Sequence, residues 1–103
     1  MFKELDPLLH SQLRLAIISL LISVEEAEFS FIKEKTNASA GNISVQLDKL
    51  QQAHYIKIEK SFKGKYPLTT CSITQKGIKA FKDYTQTLQQ YIQPTKVNQY
   101  NIN

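Results

Sequence analysis

From Leu9 onward the apolar residues Leu9, Leu13, Ala16, Ile17, Leu20, Leu21 and Val24 recur three and four apart, the period of one helix face. A second row, Leu8, Leu15, Ile18 and Ile22, runs along another side of the same helix. The spacing predicts a first helix over residues 7–23. Asp6 would open it by accepting from free backbone amides, and Pro7 loses nothing by lacking an amide proton in the first turn. A helix that is apolar nearly all round needs burial on more than one side. Part of it is therefore expected to pack against another subunit.

Residues 25–29 read as a turn with room for one short strand. Ser30 is placed to cap a second helix over residues 31–36 with Phe31 and Ile32 inward, and Thr36, Asn37 and Ala38 supply the turn that follows. The third helix, residues 39–53, is capped by Ser39 and carries Ile43, Leu47 and Leu50 on one face, with Ala53 closing the row. Its other face holds Ala40, Asn42, Ser44, Val45, Asp48 and Lys49. The first half of that face is small and hydrogen-bonding, so it can lie close to another surface. The exit at His54 calls for positive φ, which histidine adopts more readily than most non-glycine residues.

The period then changes to two. Over residues 55–62, Ile56, Ile58 and Phe62 fall on one side and Lys57, Glu59 and Ser61 on the other, the alternation of a half-buried strand. Residues 68–73 read as its partner, with Cys71 and Ile73 inward, and the five residues Lys63, Gly64, Lys65, Tyr66 and Pro67 as the loop between them. Thr74 caps a last helix over residues 75–93 with the stripe Ile78, Phe81, Thr85, Leu88 and Ile92, widened by Tyr84 and Tyr91. Pro94 ends it, and residues 94–103 lack periodicity and are expected to form a loose tail. The predicted fold is mainly α with a small β-hairpin, in the order α-α-α-β-β-α.

A chain of 103 residues supports one domain. Its net charge of +4 is unevenly placed. Residues 1–37 carry four Lys/Arg against six Asp/Glu, whereas residues 38–103 carry nine against three. A basic half centred on a hairpin suits phosphate contacts. Cys71 is the one cysteine, which excludes an intrachain disulfide and, with two histidines far apart in the chain, makes a poor zinc site. Its place in an alternating run makes it a small buried hydrophobe. No nucleophile has an evident base and orienter, and no glycine-rich phosphate loop follows a strand, so neither an enzyme nor a cofactor is expected. The apolar block at residues 15–24 is too short to span a bilayer, and the acids around it do not suit a secretory signal. A cytoplasmic protein without a membrane partner is the expectation.

Three segments, LDPLLHSQLRLAIISLL, SAGNISVQLDKLQQAHYIKIEKSFKGKYPLTT and SITQKGIKAF, together resemble the winged-helix transcriptional regulators of the MarR/ArsR-like superfamily, most of all its small single-domain group. The likeness covers residues 6–92. Its most specific parts are the Gly41-Asn42-Ile43-Ser44 opening, the wing, and the Thr-x-Lys-Gly entry at residues 74–77.

The resemblance implies a winged helix-turn-helix domain over residues 1–93 and a homodimer held by helices 7–23 and 75–93. The interface would use Leu8, Leu15, Ile18, Ile22, Phe81, Tyr84, Leu88, Tyr91 and Ile92. It also implies a regulator that sets helix 39–53 in the major groove of duplex DNA and the wing, residues 62–68, on the minor groove or backbone. The DNA-contacting residues would be Ser39, Ala40, Asn42, Ser44, Val45, Gln46, Lys49, Lys63, Lys65 and Tyr66. Many relatives place Arg or His where this chain has Val45 or Gln46. Asn42, Ser44 and Gln46 are then the polar readers left, and because Asn and Gln pair with adenine, an A·T-leaning site is expected. A small-molecule effector would have room between the first and last helices. The rival function is a winged-helix protein–protein interaction module without DNA binding, since fold does not fix function.

Overall fold

The computed structural model of the chain describes residues 2–93. The expected tail, residues 94–103, lies outside the described residues. Seven elements follow one another: α1 (Gln12–Val24), β1 (Glu26–Glu28), α2 (Phe29–Thr36), α3 (Ala40–Gln52), β2 (Ile56–Lys63), β3 (Tyr66–Ile73) and α4 (Gln75–Ile92). The three strands form one antiparallel sheet in the order β1-β3-β2. This is the expected winged helix, and the short strand before the second helix is present.

Most boundaries are set by caps legible in the sequence. Ser39 Oγ accepts from the Asn42 amide at 3.1 Å and opens α3, and Thr74 Oγ1 accepts from the Gly77 amide at 3.0 Å and opens α4. At the far end of α3, His54 takes φ 64° as expected. Its amide donates to Gln51 and the Tyr55 amide donates to Leu50, the two bonds of a Schellman exit.

Four expectations are corrected. The first helix begins at Gln12 behind a Ser11 cap, and not at Pro7. Asp6 instead closes a separate turn: its Oδ1 accepts from the Leu8 amide and its carbonyl from the His10 amide, both at 2.9 Å. The second helix begins at Phe29, because Glu28 both ends the pairing of β1 with β3 and holds the extended conformation of the capping position, leaving Ser30 inside the helix. The hairpin loop is shorter than the five residues expected. The ladder runs out to Lys63 opposite Tyr66, and Gly64 with φ +64° supplies the positive φ of a two-residue turn. Pro67 fits within the ladder because β1 covers only Thr70 to Ser72, which leaves the other side of β3 unpaired at Pro67. Finally, Phe62 is 74% exposed, since the ribbon runs past the edge of the core.

α1 is the centre of the core. It packs against α2, α3, α4, β1 and β3 of the same chain. Ile17, Ile18 and Leu21 are fully buried together with Leu9, Ile32, Ile43, Leu50 and Cys71. Ile18 was expected at a subunit interface, and its own chain covers it. Burial pushes the Cys71 thiol up to about 11, so it stays a neutral hydrophobe.

The face of α4 turned inward carries Gly77, Tyr84 and Thr87, one position off the expected stripe. The N-terminal segment lies along it. The Lys3 amide donates to Gln90 at 3.0 Å, the Tyr91 hydroxyl donates to the Lys3 carbonyl at 2.6 Å, and His10 shares a 3.0 Å hydrogen bond with Tyr84. Tyr84 is thus consumed inside the chain and corrects the second interface expectation, while Tyr91 and Ile92 remain 43% and 61% exposed.

One joint ties the pieces together. Thr74 donates its amide to the Tyr55 carbonyl at 3.1 Å and its hydroxyl to the carbonyls of His54 and Tyr55 at 2.7 and 3.0 Å. Gly77 passes so close that a Cβ there would overlap the Tyr55 carbonyl oxygen and meet Ile73 Cδ1 at 2.9 Å. The Tyr55 hydroxyl in turn donates to Asp6 Oδ2 at 2.6 Å. Burial first, then the hydrogen bond and charge of Asp6, pushes this hydroxyl from 10.0 up to about 12.

Two outcomes are expected. Gly77→Ala should cost about 2 kcal/mol because the added methyl has no room, outweighing the roughly 1 kcal/mol that alanine gains over glycine within a helix; thermal melts would show a midpoint lower by about 10 °C. Because the folded pKa of Tyr55 is raised, its stabilising contribution is complete below pH 10 and lost as pH rises through about 12. Urea unfolding from pH 8 to 12 should therefore show a steeper alkaline loss for the wild type than for Tyr55→Phe.

Candidate nucleic-acid interface

α3 presents its polar face to solvent because its apolar row, Ile43, Leu47 and Leu50, is spent on the core. Ser39, Ala40, Gly41, Asn42, Ser44, Asp48 and Lys49 are exposed, and Val45 is 52% exposed. The first turn holds no acid, so the free amides and the positive end of the helix dipole face outward unopposed. Gly41 and Ala40 keep this end slim. A phosphate or another polyanion oxygen can approach the backbone there.

Gln46 is different from its neighbours. It is half-buried, its Oε1 accepts from Arg14 Nη1 at 2.6 Å, and its Nε2 donates to Asn42 Oδ1 at 2.9 Å. Both ends of the amide are engaged within the chain. Sequence reasoning named Gln46 as a reader and passed over Arg14, whose place four residues before Ile18 on α1 gave no sign of contact with α3.

The wing carries the rest of the charge. Lys63, Lys65 and Tyr66 stand at its tip, with Tyr66 78% exposed. The ion pairs among the described residues are Lys57 with Glu59 at 3.3 Å and Lys79 with Asp83 at 3.0 Å, both exposed. The tip lysines and Lys49 take part in neither, so their charges are available to an outside anion. Between helix and wing runs a groove lined by Ser44, Asp48 and Gln51 on one side and Ile58, Lys60 and Thr69 on the other. One flank of the polar helix face, from Ser44 to Gln51, therefore shares this groove with the base of the ribbon. The cause is the Schellman exit at His54, which folds β2 back beside α3 within two residues.

Among the described residues no group of three or more His, Cys, Asp or Glu could hold a metal ion, and no helix is long and apolar enough to cross a membrane. The expected interface residues of α1 and α4 divide. Leu8, Leu15, Ile22, Phe81 and Leu88 are half-buried against the core, and Tyr91 and Ile92 are exposed.

Comparison with known proteins agrees with this arrangement. An uncharacterized protein of Methanocaldococcus jannaschii is 40% identical over 76 residues, which cover 73% of this chain and 82% of that protein. The transcriptional regulator homologue from Pyrococcus horikoshii OT3 superposes with a TM-score of 0.77 at 26% identity, over 82% of this chain and 84% of that one. The oxidized form of MarR from E. coli superposes with a TM-score of 0.67 at 17% identity, over 85% of this chain and 62% of that one, a likeness of fold. The sequence profile of the winged helix DNA-binding domain matches residues 13–92, from the first turn of α1 to the end of α4, and the chain belongs to that family.

Proposed function

We propose that this chain is a cytoplasmic transcriptional regulator that binds duplex DNA as a homodimer. The observation that carries the reading is the shared surface of α3 and the wing, polar and slim on the helix and cationic at the ribbon tip. Ser39 and the free amides of α3 hold a phosphate, because donors and dipole both point there. Ala40 lets the backbone approach, Asn42 and Ser44 face base edges, and Val45 offers an apolar contact such as a thymine methyl. Lys49 reaches a flanking phosphate. Lys63 and Lys65 meet the neighbouring minor groove or its backbone, with Tyr66 packed on sugar. Gln46 acts from behind this surface.

The dimer is built on the ends of the long helices. Tyr91 and Ile92 are exposed apolar side chains at the end of the α4 stripe that carries Leu88 and Phe81, and Leu8, Leu15 and Ile22, half-buried earlier in the chain, are the other apolar side chains assigned to the dimer. Two recognition helices would then lie one DNA turn apart, roughly 34–36 Å. An effector, if the regulator takes one, would act through this same region. The protein-docking alternative draws its support from Phe62, 74% exposed on the wing. It leaves the polar opening of α3 and the lysines of the tip without a role.

Binding to a duplex oligonucleotide should weaken with salt at a slope of about −5 in log affinity against log salt, from about three phosphate contacts per subunit. A flat salt response, or no binding, would overturn the function. Lys65→Ala should weaken binding to all sequences alike, whereas Asn42→Ala should also change which duplexes are enriched from a random pool. Sedimentation should give twice the chain mass, and Ile92→Glu should shift the molecule toward the monomer.

A further inference from the structure

A polar chain runs from the first helix to the DNA-facing surface. Arg14, half-buried on α1, donates from Nε to the Leu8 carbonyl and from Nη1 to Gln46 Oε1, each at 2.6 Å. Gln46 Nε2 then donates to Asn42 Oδ1 at 2.9 Å, one helical turn back along α3. A guanidinium has five donors and no acceptor. Gln46 must therefore turn its oxygen to Arg14, which aims its nitrogen at Asn42, and Asn42 must answer with its oxygen. The orientation of two side-chain amides, each of which could otherwise be reversed, is fixed by one residue that can only donate.

The consequence falls on Asn42. Its side chain is exposed, its carbonyl is held on Gln46, and the end left with unspent hydrogens is Nδ2. We propose that Arg14 is a specificity-determining positioning residue which, through Gln46, presents Asn42 to the major groove as a donor, so that it reads guanine in preference to adenine; this rests on the DNA-binding function proposed above. Guanine shows two acceptors in the major groove, O6 and N7, whereas adenine shows the N7 acceptor beside the N6 donor. The bidentate pair of asparagine with adenine needs Oδ1 at N6 and Nδ2 at N7 together. With one lone pair of Oδ1 spent on Gln46 and the oxygen turned along the helix, the adenine pair is weakened, while the two hydrogens of Nδ2 match the guanine edge. The adenine preference expected from residue type alone is thereby reversed.

Selection of bound duplexes from a random pool tests this with the full chain and four variants, each first shown to be folded by its thermal melt. Asn42→Ala marks the base position that Asn42 reads, as the one whose preference it flattens. At that position the wild type should enrich guanine over adenine about tenfold, the lower part of the range for a good base contact. Arg14→Met should bring the two within about twofold, because Gln46 and Asn42 are then free to turn over. Arg14→Lys keeps a donor-only group and should restore the guanine preference, a rescue that a merely structural role would not produce. Gln46→Glu can only accept, so Asn42 should donate to it and turn its carbonyl outward, moving the preference toward bases with a major-groove donor.

Adenine enriched by the wild type at the marked position, or an Arg14→Met pool identical to that of the wild type, would overturn the proposal while leaving DNA binding intact. Should Arg14→Met fail to fold, the Gln46→Glu pool decides in its place, and an unchanged guanine preference there overturns the proposal. Failure of the wild type to bind any duplex would instead overturn the DNA-binding function, and the proposal with it.

Discussion

The carbonyl oxygen of Tyr55 is the point on which this structure turns. It accepts from both the amide and the hydroxyl of Thr74, and it lies where only a glycine at position 77 leaves it room. Three elements meet there: the exit of α3, the start of β2 and the first turn of α4. A close backbone approach of this kind cannot be stretched by side-chain rearrangement, so it sets the angle between α3 and the last helix. The Tyr55 ring extends the joint to the N-terminus through Asp6. A single residue thus connects the exit of α3 with the start of α4 and with the segment ahead of α1.

The same economy appears in the use of charge and polarity. The core is closed by apolar side chains from every helix around α1, and no buried side-chain N or O among the described residues is left without a hydrogen-bond partner. The wing tip and the exposed side of α3 carry cations, Lys63, Lys65 and Lys49, that take part in neither ion pair among the described residues. The acids fall mostly in the first third of the chain, at β1 and in α2, away from the slim end of α3. This separation lets a molecule with a modest net charge of +4 present a cationic surface to a polyanion.

Much of the fold was legible in the sequence because it depends on local chemistry. Ser39 and Thr74 cap α3 and α4 with their own hydroxyls, His54 takes the positive φ that ends α3, and the change of period after it announces the hairpin. What escaped was set by contacts distant in the chain. Helix one starts late because Ser11 caps it and Asp6 closes a separate turn, with its second carboxylate oxygen tied to Tyr55, 49 residues away. The inward face of α4 is shifted because residues 2–10 lie on it, with bonds from Lys3 and His10 to Gln90, Tyr91 and Tyr84. The all-round apolar α1 is the hub of the chain's own core, which takes Ile18 out of the expected interface.

The candidate site divides in the same way. Residue types and helical spacing alone determined which side of α3 faces outward, Gln46 apart, because burial of Ile43, Leu47 and Leu50 forces the opposite face into solvent; on the ribbon, Phe62 was expected inward and is exposed. Residue types also determined the asymmetry of charge. Only the tertiary structure decided that the two outward surfaces adjoin and that Gln46 is held from behind by Arg14, 32 residues earlier. The reason is physical: periodicity reports which way a side chain points, whereas the partner that fixes the direction of its hydrogen bonds comes from wherever the fold brings the chain back.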